Sequence, residues 1–231
     1  MHAHPDGPWA AAHIGALHGK TEAWYILTPG QVHLALARDL DGAELDGIVE
    51  RQDTAALLGA MHRLDVAPGD VVHVPAGVLH AIGEGILLVE LQEPQDLSIL
   101  VEWTGFAIDG RAEGHLGVGF DTALGAVERT ARSESAVRRL VHRAGEATPL
   151  LPEEADPFFR LEHVRVYGSA VVEPGFAVMV VLAGRAEATA GADGSTLNLT
   201  RGSTVVLPHA AGVVTLRGDA ELVVCRPPRP R

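Results

Sequence analysis

The sequence predicts an all-β chain: two antiparallel β-barrels of the jelly-roll kind, with a few short helices. Three observations predict it. Between residues 64 and 93, short β-branched runs are broken by Pro-Gly, Pro-Ala-Gly and Gly-Glu-Gly, the punctuation of tight turns between barrel strands. A stretch rich in proline and acids, 142–157, divides the chain. A weak internal repeat relates the two sides: Gly69 and Pro75 have five residues between them, as do Gly202 and Pro208, and an apolar run follows each pair.

The elements follow in order. Residues 23–38 read as two strands around Thr28-Pro29-Gly30, where Pro then Gly suits the centre of a type II turn. Residues 52–63 read as a short helix with Asp53 as N-cap. After the strand-and-turn region, "FDTALGAVERTA" opens a helical stretch placed over about 120–142. The expected organisation is an N-terminal domain over 1–142, a linker over 143–157 and a smaller C-terminal domain over 158–231.

Composition bounds the partners. The 231 residues carry a formal charge of −12, which argues against nucleic acid, because phosphate backbones require a basic footprint. With 47% apolar and 21% charged residues the balance is globular. No apolar stretch is long enough to span a membrane. The single Cys225 excludes an internal disulfide and fits a reducing compartment, so a cytoplasmic location is expected.

Three short motifs carry chemistry. In "GKTEAWYIL", residues 19–27, Lys20 and Glu22 fall on one face if the strand begins this early, since side chains alternate with period two. An exposed ion pair is one reading of that pair; an amine and a carboxylate aimed into a barrel is the other. His2 and His4 form an alternating pair that sends two imidazoles to one side of an extended chain, or else a disordered tip. Residues 69–80 read G-x5-P-x-G-x2-H, in which Gly69 and Gly77 permit tight turns and Pro75 fixes the entry, so that His80 opens a strand. In the second copy of the repeat Val213 stands where the first has His80, which assigns any metal site to the N-terminal barrel.

The G-x5-P-x-G-x2-H pattern resembles the second motif of the cupins, with Glu84 where many members have Asn. "HPD" at 4–6, "GKTEAWYIL" at 19–27, residues 68–96 and "ALGAV" at 123–127 together look like a class I (cupin-type) mannose-6-phosphate isomerase of the short bacterial form. Members carry a segment ahead of the first ligand, so the resemblance implies an N-terminally shortened form. It implies a zinc-dependent aldose–ketose isomerase acting on the sugar phosphates mannose 6-phosphate and fructose 6-phosphate through an enediol-type proton transfer. One zinc per chain is expected, with manganese or iron(II) compatible with the same donors. Carried over, the ligands are His4, Glu22 and His80, with His2 at a position that is Gln in many members. The catalytic candidates are Lys20, Glu90 in "LLVELQ", and Arg111. Either Glu90 or Lys20 serves as the base, since burial moves a carboxyl up and an amine down towards neutrality. One departure stands out: Leu100 occupies the place of a family arginine. Leu100 keeps open a non-catalytic sugar-binding or regulatory cupin, or a different metal-dependent cupin enzyme.

Overall fold

The computed structural model describes residues 1–143, 150–191 and 193–229. The chain divides into two compact units, Met1–Glu146 and Ala147–Arg231. It is mostly β, in antiparallel sheets.

In the first unit the elements run β1 (His2–Ala3), α1 (Gly7–Ile14), β2 (Glu22–Ile26), β3 (Gly30–Leu36), α2 (Gly42–Arg51), α3 (Thr54–Gly59), β4 (Met61–Val66), β5 (Val71–Val74), β6 (His80–Ile82), β7 (Leu88–Gln92), β8 (Ile99–Leu100), α4 (Gly110–Glu113), α5 (Phe120–Ala123), α6 (Glu134–Arg138) and β9 (Val141–His142). Two sheets form, ordered β4-β3-β6-β1-β8 and β7-β2-β5-β9. Trp24, Ile26, Val32, Leu34, Val72, Val74 and Val78 make one core cluster, drawn from both sheets. Leu36, Leu45, Ile48, Leu57, Leu79 and Ile99 make another, between the helices and the five-stranded sheet. The second unit contains β10 (Arg160–Val172), β11 (Ala177–Ala190), β12 (Thr196–Thr200), β13 (Thr204–Leu207) and β14 (Val214–Arg226), in one sheet ordered β10-β14-β11-β12 with β13 also on β11. Its core is aliphatic, centred on Met179, Val181, Leu199, Leu216, Leu222 and Val224.

Several local expectations change. The two strands of 23–38 exist but lie in different sheets. Gly30 is absent from the left-handed region, so the turn is not type II; a Cβ there would come within 2.5 Å of the Ile86 side chain, which is what glycine relieves. The helix expected over 52–63 is only Thr54–Gly59; Asp53 caps it by accepting from Ala56 N at 3.0 Å. Met61 to Arg63 pair instead with β3, because the sheet satisfies their backbone groups over six residues of ladder. The stretch 120–142 is no continuous helix. It holds α5, a 3-10 turn Leu124–Ala126, α6 and β9. Between them the backbone N–H groups of Glu128 and Arg132 go to Gly77 O and Leu36 O, each at 2.8 Å, so this segment is bound to neighbours rather than to its own helix. Part of the expected linker, 144–149, lies outside the described residues; in the remainder, Leu150, Leu151 and Ala155 are buried around a 3-10 turn Glu153–Ala155.

Helix α2 was not anticipated. Asp41 caps it by accepting from Glu44 N at 2.8 Å, and Leu45, Ile48 and Val49 form its buried stripe. Leu45 is wholly buried in the helix-covered core. Leu45→Ala is expected to cost about 2–5 kcal/mol, measured as a lowered urea midpoint at unchanged slope. A loss below about 1 kcal/mol would mean that α2 contributes little to this core.

Candidate metal centre

The centre is assembled from three chain segments by strand register. β1 lies between β6 and β8, with His2 directly opposite both His80 and Leu100. Directly opposed residues project to the same face, so His2, His80 and Leu100 share one side. His4 follows two residues later, and its carbonyl accepts from Gly77 N at 2.6 Å. Gly19 lies against the same segment: a Cβ there would come within 2.6 Å of Pro5, Asp6 and Gly7 backbone atoms. Lys20 N donates to Pro5 O at 3.0 Å. This close approach carries Lys20 and Glu22 alongside His4.

The ligand-type nitrogens of His2, His4 and His80 lie within 4.8 Å of one another. Glu22 meets them: its Oε2 is 2.9 Å from His4 Nε2, and its Oε1 is 3.3 Å from His80 Nε2. Two tautomers follow from the outer contacts. His4 Nδ1 sits 2.7 Å from Leu97 O, and His80 Nδ1 sits 2.9 Å from Val78 O. A carbonyl only accepts, so each Nδ1 carries the proton and each Nε2 turns a lone pair inward. His4 Nε2, His80 Nε2 and Glu22 Oε2 are buried with no hydrogen-bond partner. Lone pairs thus face one another in a largely buried site, an arrangement that a cation reconciles. Three imidazoles and one carboxylate are the N/O donor set suited to zinc, and also to manganese or iron(II).

The electrostatics agree with deprotonated ligands. Burial, then the neighbouring His4, pushes His2 down to about 3. Burial, then His2, puts His80 well below its usual 6.5. Burial pulls the Glu22 carboxyl upward, but the close approach of the His4 and His80 rings outweighs it and leaves the pKa below its ordinary value. A pH prediction follows for the metal-free protein. Below about pH 6.5 the unfolded imidazoles take protons that folded His2 and His80 refuse, so the unfolded state binds more protons and stability falls with pH. Glu22 contributes in the same direction: its lowered folded pKa adds stability above 4.5 that is lost as pH falls through the folded value. Urea midpoints in chelator should fall steadily from pH 7 to 5. A midpoint flat across that window contradicts neutral, buried imidazoles.

Among the catalytic candidates, Lys20 Nζ is 3.7 Å from Glu22 Oε2 and 3.1 Å from Asp96 Oδ1. Glu90 lies opposite Trp24 in the β2–β7 ladder, on the face that also carries Glu22. It keeps solvent contact; partial burial, then the Glu22 charge, raises its carboxyl. Arg111 lines a cavity with Asp46, Glu50, Trp103, Phe120 and Asp121. Two neighbours of the centre escaped the sequence reading. Trp24 donates its indole N–H to Glu22 Oε1 at 2.9 Å, a contact signalled by the i, i+2 spacing on one strand. Asp96 holds Lys20 across 76 residues, a separation that leaves no local signal.

Two antiparallel β units, one carrying imidazoles and a carboxylate at a shared point, define a cupin-type chain with a metal-type centre. Within that class the chain is similar to the mannose-6-phosphate isomerases. It is 27% identical to the mannose-6-phosphate isomerase of Streptococcus mutans over 230 residues, covering 95% of this chain and 67% of that one. It is 37% identical over 99 residues to mannose-6-phosphate isomerase ManA of Bacillus subtilis, covering 40% of this chain and 29% of the relative. No protein-family model matches the chain. Among solved structures, a putative mannosephosphate isomerase from Archaeoglobus fulgidus superposes with TM-score 0.77 at 19% identity, covering 99% of this chain and 67% of that one. The Bacillus subtilis mannose 6-phosphate isomerase gives TM-score 0.72 at 22% identity, covering 97% and 70%. At these identities the structural likeness speaks for the fold.

Proposed function

We propose that this chain is a zinc-dependent aldose–ketose isomerase that interconverts mannose 6-phosphate and fructose 6-phosphate. The observation that carries the reading is the convergence of bare His4 Nε2 and His80 Nε2 on the Glu22 carboxylate, with Lys20 Nζ 3.7 Å from it. The sequence likeness along 95% of the chain to an enzyme of that name supports the substrate class. His2, His4, Glu22 and His80 hold the ion. The bound ion supplies Lewis acidity towards the sugar oxygens. Glu90 or Lys20 takes the proton from C2 of the open-chain sugar while O1 gains a proton, giving an enediol; a proton then returns to C1 as the O2 hydroxyl gives up its own, leaving the ketone at C2. Glu90, an exposed side chain on the Glu22 face, has its carboxyl shifted upward, the direction a general base needs, and that place supports the role. With Glu90 as the base, Lys20, oriented by Asp96, offers an ammonium to the enediol oxygen. Arg111 is assigned no step in this scheme, and it lines a cavity beside Trp103 and Phe120.

Leu100 supports a second reading, a sugar-binding cupin without turnover, because an apolar side chain faces His2 where the family resemblance leads one to expect an arginine. An assay coupling fructose 6-phosphate production to a downstream dehydrogenase separates the two. The isomerase reading requires turnover of mannose 6-phosphate by zinc-loaded protein. Saturable sugar-phosphate binding with no turnover would replace it with the second reading.

A further inference from the structure

We propose that Trp24 is a positioning residue for this centre: its indole N–H occupies Oε1 of Glu22 and leaves Oε2 as the one oxygen offered to the ion. The proposal rests on the metal reading above.

An indole N–H donates and never accepts, and a fully buried one must find an acceptor. Trp24 has no exposed surface, and its acceptor is Glu22 Oε1 at 2.9 Å. The two residues share a face of β2, and the ring is fixed from several sides. Val72 lies opposite on β5, Ile26 follows on the same face, and the His80 ring stands 5.5 Å away at 64°. Glu22 is itself only 1% exposed, so water does not compete for either oxygen. The two oxygens therefore differ. Oε1 accepts from the indole N–H at 2.9 Å and lies 3.3 Å from His80 Nε2, while Oε2 has no hydrogen-bond partner and lies 2.9 Å from His4 Nε2.

A carboxylate with both oxygens free can bind an ion through both. Here one oxygen's lone pair is already committed to a donor that cannot move away, which favours a single Glu22–ion bond. Three imidazoles and one carboxylate oxygen would then be the donors the protein offers to a bound ion. The hydrogen bond also keeps the carboxylate oriented when the ion leaves, as outer partners of ligands do.

Trp24→Phe keeps an apolar ring and removes only the donor. Zinc affinity is expected to fall roughly 10–100-fold, the scale for a lost outer partner. The visible spectrum of the cobalt(II)-loaded variant should weaken relative to the parent, as a second Glu22 oxygen enters the shell. Leu222→Ala, which loosens the core cluster of the second unit, should lower the urea midpoint without moving either readout. Parent-like zinc affinity together with a parent-like cobalt spectrum in Trp24→Phe overturns the proposal. A parent protein that binds neither ion overturns the metal reading first, and this inference with it. If Trp24→Phe does not fold, the unsubstituted protein still decides. Its Trp24 indole proton should be strongly protected from hydrogen exchange with and without zinc, and rapid exchange in either state overturns the assignment.

Discussion

His80→Ala should empty the centre of metal and abolish turnover together. His80 is wholly buried, opens β6, and turns Nε2 to within 3.3 Å of Glu22 Oε1. Removing it deletes one of four donors and leaves a methyl-lined gap that water cannot fill with equivalent geometry. The loss of affinity should exceed the roughly 10–100-fold that follows deletion of an outer partner. The fold should survive, because both apolar core clusters of the first unit keep all their side chains. Metal analysis after dialysis checks this. Stoichiometric zinc in the folded variant would place the ion elsewhere.

Lys20→Ala should do the opposite: retain zinc and lose turnover by about 10²-fold or more, the scale of a missing acid–base group. Lys20 is 6% exposed, and its ammonium is held between Glu22 and Asp96. The methylene stem adds packing, so a modest fall in stability is expected as well. Parallel zinc analysis and steady-state kinetics separate the roles. Turnover within a few-fold of the parent would make Lys20 a structural counter-ion to Glu22, and loss of zinc would make it part of the metal site.

What the sequence disclosed follows the range of the interactions. Short-range chemistry was legible: Pro75 and Gly77 set the turn before His80, and Asp53 capped a helix. Lys20 and Glu22 do come together, but the strand starts only at Glu22, so parity along it does not reach Lys20. The convergence of His2, His4, Glu22 and His80 came through the family resemblance, since nothing local to any one of them specifies the others. Helix lengths failed where long-range partners decide. Met61 to Arg63 look helical until β3 offers them a ladder, and 127–132 looks helical until Gly77 and Leu36 take its N–H groups. Helix α2 was readable from Asp41, Glu44 and the Leu45-Ile48-Val49 stripe; the Gly42 and Gly47 inside it obscured the pattern. Asp96 and the cavity of Arg111 depend on how the 93–111 segment returns to the barrel, which no periodicity encodes.

The central claim is that one ion at this centre enables isomerisation of a sugar phosphate. It is tested most directly by titrating chelator-treated protein with zinc while following mannose 6-phosphate turnover. Turnover should begin near zero, rise in proportion to added zinc and level off at one ion per chain. Full turnover before any zinc is added, or none at one bound zinc per chain, would contradict the claim.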